Sequence, residues 1–265
     1  IYIPSTVESI GNYAFANSTT LNEVDLSNDS ALVSIGNGCF MMPIDNENDG
    51  ISLLKLPQNL RTIGINAFAN NKKLTSIVLP YNIMSIGEGA LSGTSINSLS
   101  STAKYSWSNN VLVDKSSNNG KYEVVFANPS ISEITIPDNV ISISAAAFKN
   151  NKNIKSINLN KVSVIGVNAF YNSTLTNITN DFNITNASVG SFANTPWLQN
   201  KAEDEFIIIG KTLIFYNGNK SNVIIMNGIE RIGEDSFIGE DIVSVVLPNS
   251  VTDIGVNAFN RCLNL

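Results

Sequence analysis

An α/β repeat solenoid is the fold class this chain predicts, and three observations predict it. A six-residue phrase, Ile-Gly-x-x-small-aromatic, occurs nine times, and five of the eight intervals between copies are 22–25 residues. A second phrase, apolar-x-x-apolar-x-apolar, lies between copies of the first. The 265 residues are 43% hydrophobic and 14% charged, enough apolar material for a sizeable core and too much for disorder. Self-similarity at a fixed short period is the signature of stacked repeats, because one unit cannot bury its own apolar side and a stack can.

The first phrase runs Ile10–Phe15, Ile35–Phe40, Ile63–Phe68, Ile86–Leu91, Ile143–Phe148, Ile165–Phe170, Ala187–Phe192, Ile232–Phe237 and Ile254–Phe259. The residue before its last position is always small: Ala14, Cys39, Ala67, Ala90, Ala147, Ala169, Ser191, Ser236 and Ala258. A small residue lets one coil approach the next, and the aromatic fills the column between them, so these rings read as core rather than ligand sites. Gly holds the second position in seven of nine copies, with Ser144 and Ser188 the exceptions. Close approach accounts for Gly and Ser together better than an obligatory positive φ. The phrase as a whole predicts a brief extended piece and then a short helical turn.

The second phrase includes Leu21/Val24/Leu26, Leu74/Ile77/Leu79 with Pro80, Ile131/Ile134/Ile136 with Pro137, and Ile242/Val245/Leu247 with Pro248. Its last part alternates with period two and is rich in Ile and Val, which predicts a short strand. Proline cannot donate to a ladder, so it suits the point where the strand leaves the sheet. The strand positions expected to face outward include Asp25, Lys55, Val78, Thr135, Asn158 and Thr179, which are candidate partner-binding residues because solenoids bind on such faces.

These residues carry a family likeness. The string Leu74-Thr-Ser-Ile77-Val-Leu79-Pro80, followed by Ile86-Gly-Glu-Gly-Ala90-Leu91, resembles the BspA-like (Treponema-type) leucine-rich repeat, and Cys262 sits at that pattern's cysteine position. The resemblance implies a right-handed leucine-rich-repeat superhelix with a parallel sheet on its concave side. It also implies a secreted or surface protein of host-associated bacteria or some protists, engaged in adhesion and protein binding, with no shared catalytic residue. Ser101, Asn180 and Ala187 depart from the pattern.

Two intervals of 57 and 45 residues contain insertions, about 104–130 and 196–222, within what reads as a single solenoid over 1–265 cut from a longer chain. Each insertion has a Trp and then two extended apolar runs, Val111–Val113 with Tyr122–Phe126 and Phe206–Ile209 with Leu213–Tyr216, which predicts a β-hairpin grafted onto the solenoid. Trp107, Tyr122, Trp197 and Tyr216 either stack on sugar rings or hold the hairpins to the body, since a two-stranded hairpin alone is marginal. The second reading is the stronger one.

The chain contains no histidine, which removes His-dependent triads, His-ligated zinc and His acid–base pairs. Its net charge of −6 argues against nucleic acid or an anionic membrane surface, and no apolar run is long enough to insert in a bilayer. Asp45-Asn-Glu47-Asn-Asp49-Gly50 matches the first half of a calcium loop, but Leu56 stands where the bidentate carboxylate belongs, so an acidic surface insertion is expected. Gly210-Lys211-Thr212 has no preceding Gly or following helix of a phosphate loop and reads as a hairpin turn. Glu203–Glu205 is a solvated charge run, and Glu23 with Asp25 is a weak acid pair on one strand. Cys39 and Cys262 lie about seven coils apart, roughly 30 Å at strand spacing, too far to pair.

The sequence therefore predicts an interaction module without cofactor or catalysis, and the family resemblance implies a place outside the cell or on its surface. Its partner would be a protein or glycan, such as those of a host surface or matrix. The rivals are a carbohydrate-acting or glycan-binding solenoid, including an enzyme on a right-handed β-helix, and a purely structural spacer.

Overall fold

The computed structural model describes residues 3–28, 31–45, 50–116 and 121–265. It is a stack of short coils built on two columns of parallel strands. In the first column Ser9–Ile10, Ser34–Ile35, Thr62–Ile63 and Ser85–Ile86 pair in that order. Their register sets the phrase isoleucines side by side. The column resumes with Val140–Ile143 and Val164–Ile165, and again with Arg231–Ile232 and Asp253–Ile254. Most of these isoleucines are buried; that of the last coil, Ile254, is exposed.

The second column comes from the second phrase. Glu23–Asp25 pairs with Leu53–Lys55, Ser76–Ile77 with Ser98–Leu99, and Asn222–Ile224 with Ser244–Val246, all parallel. Glu133–Thr135, Ser156–Asn158 and Asn177–Thr179 form a three-stranded run. Strand side chains alternate between faces. The central residues Val24, Leu54, Ile77, Leu99, Ile134, Ile157 and Val223 therefore point into the core, and their neighbours point out.

The phrase aromatics line the core along the axis. Ring centroids lie 5.2 Å apart for Phe15–Phe40, 5.5 Å for Phe40–Phe68, 4.8 Å for Phe148–Phe170 and 5.0 Å for Phe237–Phe259. Near-parallel stacking at such distances adds to the burial energy of each ring. The small residue before each aromatic has a second role. Its carbonyl accepts the aromatic amide of the preceding coil, at 2.8 Å for Phe15 to Cys39, Phe40 to Ala67 and Phe148 to Ala169.

The predicted helical turns are not helix. Among the described residues the only helical segments are Val189–Phe192, a 3₁₀ turn, and Pro196–Gln199. Left-handed residues break the rest. The fourth phrase position has φ between 52° and 64° at Tyr13, Gly38, Asn66, Gly89, Ala146, Asn168, Asp235 and Asn257. A second left-handed residue follows four positions later in most coils, as at Asn17, Asn70, Gly93, Asn150 and Asn172. Two such residues per turn interrupt any α-ladder, and the local bonds close three residues back instead, as from Ala69 to Asn66 at 3.1 Å. Asparagine tolerates this conformation far better than most residues, which gives a use to many of the 40 asparagines.

The phrase's second residue does not have a positive φ. In most coils its glycine answers to contact, though at Gly11 a β-carbon would meet nothing within 4 Å. A β-carbon on Gly64 would lie 2.6 Å from the Asn37 backbone nitrogen, and one on Gly166 would lie 2.5 Å from that of Ala145.

The insertions are not appendages. Tyr105–Ser108, Val111–Asp114 and Tyr122–Ala127 form three antiparallel strands, one more than the sequence suggested, and the last of them joins the first column beside Val140–Ile143. Phe206–Ile209 and Thr212–Tyr216 pair antiparallel across Gly210-Lys211, and the second joins the column beside Arg231–Ile232. Both faces of these strands are packed. Leu112 and Phe126 belong to one core cluster, and Val111, Val113 and Val124 to the next. Ile207, Ile209 and Ile214 close that second cluster, and Leu213 and Tyr216 open the third. The insertions thus divide the apolar interior into three compartments rather than one continuous spine.

Two stability measurements test this packing. Phe148→Ala removes a fully buried ring between neighbours and is expected to cost about 3–5 kcal/mol, read as a lowered urea midpoint. Ala146→Gly relieves a left-handed alanine and is expected to raise stability by about 1 kcal/mol, the opposite sign to an ordinary Ala→Gly change. An unchanged or lowered midpoint would deny that strain.

Candidate interaction surface

The outward side of the second strand column is an open ladder with a gradient of chemistry along the axis. At one end Lys55 donates to Asp25 at 2.7 Å, both side chains exposed. The bond to Lys55, and next that to Ser27, hold the Asp25 carboxyl down to about 2. Val78 follows, 70% exposed. The middle is neutral and polar, with Thr135 and Thr179 exposed and Asn158 half-buried. Neighbouring rungs bond to each other, Asn177 Nδ2 to Ser156 Oγ at 3.1 Å and Asn180 Nδ2 to Asn158 Oδ1 at 2.9 Å. At the far end Ile224 and Val246 face outward on directly paired positions, 72% and 56% exposed. The structure thus brings the candidate strand residues onto one face.

The candidate aromatics do not join them. Trp197 is buried 4.5 Å from the Phe192 ring centroid. Tyr216 is fully buried between Phe206 and Phe237, at 5.4 and 5.0 Å, and its hydroxyl accepts from the Lys220 amide at 3.0 Å. Neither ring has a free face for a sugar, because each takes the place of a phrase aromatic in the stack. Trp107 and Tyr122 are half-buried, Trp107 stacked 6.4 Å from Phe126.

Sequence reasoning missed one group of charges. Asp114 and Glu123 are directly opposed on paired antiparallel strands, and Lys104 reaches Asp114 at 3.1 Å. Burial, and then the charge of Asp114, push the Glu123 carboxyl up from its ordinary value. The alternation of Val111–Asp114 was the available signal, but the pairing register was not.

The remaining motifs resolve simply. Gly210-Lys211 is the tight connection between two strands, and Lys211 pairs with Glu230 at 2.6 Å. Glu205 and Asp204 pair with Lys220 and Lys201 at the surface. Of the calcium-like loop only Asp45 and Gly50 lie within the described residues. Cys39 is buried and Cys262 half-buried, both free thiols. Burial raises both, Cys39 to about 11. The cysteine position three residues after the aromatic proves to be a donor position. Cys262 Sγ, Thr94 Oγ1 and Asn71 Nδ2 there donate to the backbone carbonyls of Phe237, Leu91 and Phe68 at 3.0, 2.8 and 2.9 Å. No helix among the described residues is long and apolar enough to cross a membrane.

Solved structures share this architecture. A leucine-rich cell surface protein from Faecalibacterium prausnitzii is 24% identical with a TM-score of 0.51, over 99% of this chain and 76% of that one. The pneumococcal vaccine antigen PcpA is 18% identical with a TM-score of 0.52, over 98% of this chain and 65% of that one. A leucine-rich repeat protein from Eubacterium ventriosum is 20% identical with a TM-score of 0.51, over 97% of this chain and 74% of that one. At these identities the likeness speaks for the fold. No curated protein matches the chain. The BspA-type leucine-rich repeat region model matches residues 1–119, 121–212 and 208–265. With nearly every coil covered and the Ile-Gly-x-x-Ala-Phe phrase repeated along the stack, the chain belongs to the BspA-type leucine-rich repeat family.

Proposed function

We propose that this chain is a non-catalytic interaction module, displayed outside the cell or on its surface, that holds a protein partner on the outward face of its second strand column. On this reading residues 1–265 form a single solenoid, wound right-handed, with that column on the concave side. The family is one of surface repeat proteins, and the F. prausnitzii neighbour is described as a leucine-rich cell surface protein. The absence of histidine removes the commonest general base.

The observation that carries the proposal is the aliphatic rung of Ile224 beside Val246. Nothing in the packing of the stack calls for those residues, since the adjacent outward rung, Asn222 with Ser244, is polar and is satisfied by a 2.7 Å bond between the two side chains. Paired aliphatic groups left in water are a natural anchor for a partner, with the neutral hydroxyls and amides of Thr135, Asn158 and Thr179 as its surround. Lys55, Asp25 and Val78 extend the face toward the other end.

The test is a binding array of immobilised host-matrix proteins and glycans probed with this chain and with an Ile224→Ser/Val246→Ser variant. The substitutions are expected to leave the urea midpoint within about 0.5 kcal/mol of the parent and to weaken capture of a matrix protein about tenfold, or about 1.4 kcal/mol. Undiminished capture by the variant would remove this face from the function.

A further inference from the structure

Three adjoining cavities run along the turn side of the stack, away from the strand ladder. The first, about 280 Å³, is bounded by Ile44, Asn70, Lys72, Asn150, Lys152 and Asn172 among others. The second, about 200 Å³, shares Ile44, Asn70 and Asn150 with it. The third, about 140 Å³, shares Asn66 and Lys149 with the second. Together they make one groove crossing the point where the coil of Gly89 meets that of Ala146, 57 residues later in sequence.

Two kinds of group line it. The left-handed asparagines hold their amides in a row. Asn172 Nδ2 donates to Asn150 Oδ1 at 2.8 Å, Asn150 Nδ2 to Asn70 Oδ1 at 3.2 Å, and Asn70 Nδ2 to the Met42 carbonyl at 3.0 Å. Each amide has two N–H donors and an oxygen with two lone pairs, so a row of single bonds leaves capacity at every step. The second kind is cationic. Lys72 Nζ donates to the Ile44 carbonyl at 2.9 Å and Lys152 Nζ to the Asn172 carbonyl at 2.6 Å. An ammonium has three donors, and these bonds use one each. Lys149 stands over the Tyr171 ring at 5.6 Å. Among the described residues none of the three lysines is within salt-bridge distance of a carboxylate. Among the described residues the acids nearby are Glu88, which lines the third cavity, and Asp45, which follows Ile44 at the rim.

In a chain of net charge −6, a groove with three cations and a row of amides is selective for a particular chemistry. Amides one and two coils apart, Asn150 beside Asn172 and Asn70 across the coil of Gly93, match the hydroxyls of a polymer, and ammoniums with spare donors match acid groups along it. We infer that this groove binds an acidic polysaccharide, with carboxylate or sulfate groups on the lysines and sugar hydroxyls on the asparagine amides. The site is separate from the protein-binding face proposed above and does not depend on it.

Calorimetric titration of the 265-residue chain with three hexasaccharides tests the inference: hexagalacturonate, a heparin hexasaccharide, and neutral maltohexaose. At least one acidic chain should bind about tenfold more tightly than maltohexaose, and added salt should weaken it as screening requires. Hexagalacturonate alone would identify carboxylate as the recognised group, and the heparin chain alone would identify sulfate. Lys72→Gln/Lys152→Gln should lower that affinity about tenfold. Asn150→Gly, which keeps the left-handed backbone and removes the amide, should lower it severalfold, with both variants retaining the parent's circular dichroism. The Ile224→Ser/Val246→Ser variant should bind the sugar like the parent. Maltohexaose binding as well as the acidic chains, full affinity in the folded double-lysine variant, or loss of affinity in the Ile224/Val246 variant would each overturn the assignment.

Discussion

Every coil rests on the one before it at strand spacing, about 4.8 Å, and that distance is the constraint from which the other features follow. At Gly64 and Gly166 there is no room between successive backbones for one more carbon. The same closeness brings the phrase aromatics to within 4.8–5.6 Å of each other and lets a small residue's carbonyl reach the amide of the coil below. The small residues, the rings and the strand registers are thus one requirement expressed at different positions. Polar side chains complete it where the backbone cannot: buried Asn71 satisfies the carbonyls of Phe40 and Phe68 and the amide of Ile51.

Much of this was legible in the residues. The two phrases placed both strand columns, because period-two alternation and fixed spacing follow directly from stacking. That the phrase glycines do not serve a positive φ was legible because Ser144 and Ser188 substitute for them, and serine does not share glycine's freedom of φ. The turn was misread as helical because Ala-Phe flanked by polar residues resembles a short helix. The informative positions were instead the recurrent Asn, Gly or Asp two before each aromatic and the residue two after it. Their left-handed φ appears in sequence only as an amino-acid preference, which Tyr13 and Ala146 do not obey. The absence of that helix also removes the sequence argument against a β-helix; the family match carries the distinction instead.

The insertions were harder to place in space. Alternating apolar runs announce strands, but a strand with one packed face and a strand with two differ only in what covers them. Here Trp197 and Tyr216 add rings to the stack beside Phe192 and Phe237, in line with the stronger of the two sequence readings, that such aromatics hold the insertions to the body. The strand ladder was the easier prediction, since outward positions follow from inward ones. The opposed Asp114 and Glu123 needed a register that no local pattern contains.

Division of the interior by the two inserted sheets has a mechanical consequence. In an undivided stack, coupling between neighbours lets a defect travel from coil to coil. A sheet packed on both faces acts here as a bulkhead, because the side chains on its two faces belong to separate clusters. Loss of either outer compartment leaves the middle one its own walls. A stack pulled or nicked at one end would then yield in sections and keep the rest of its length in working order.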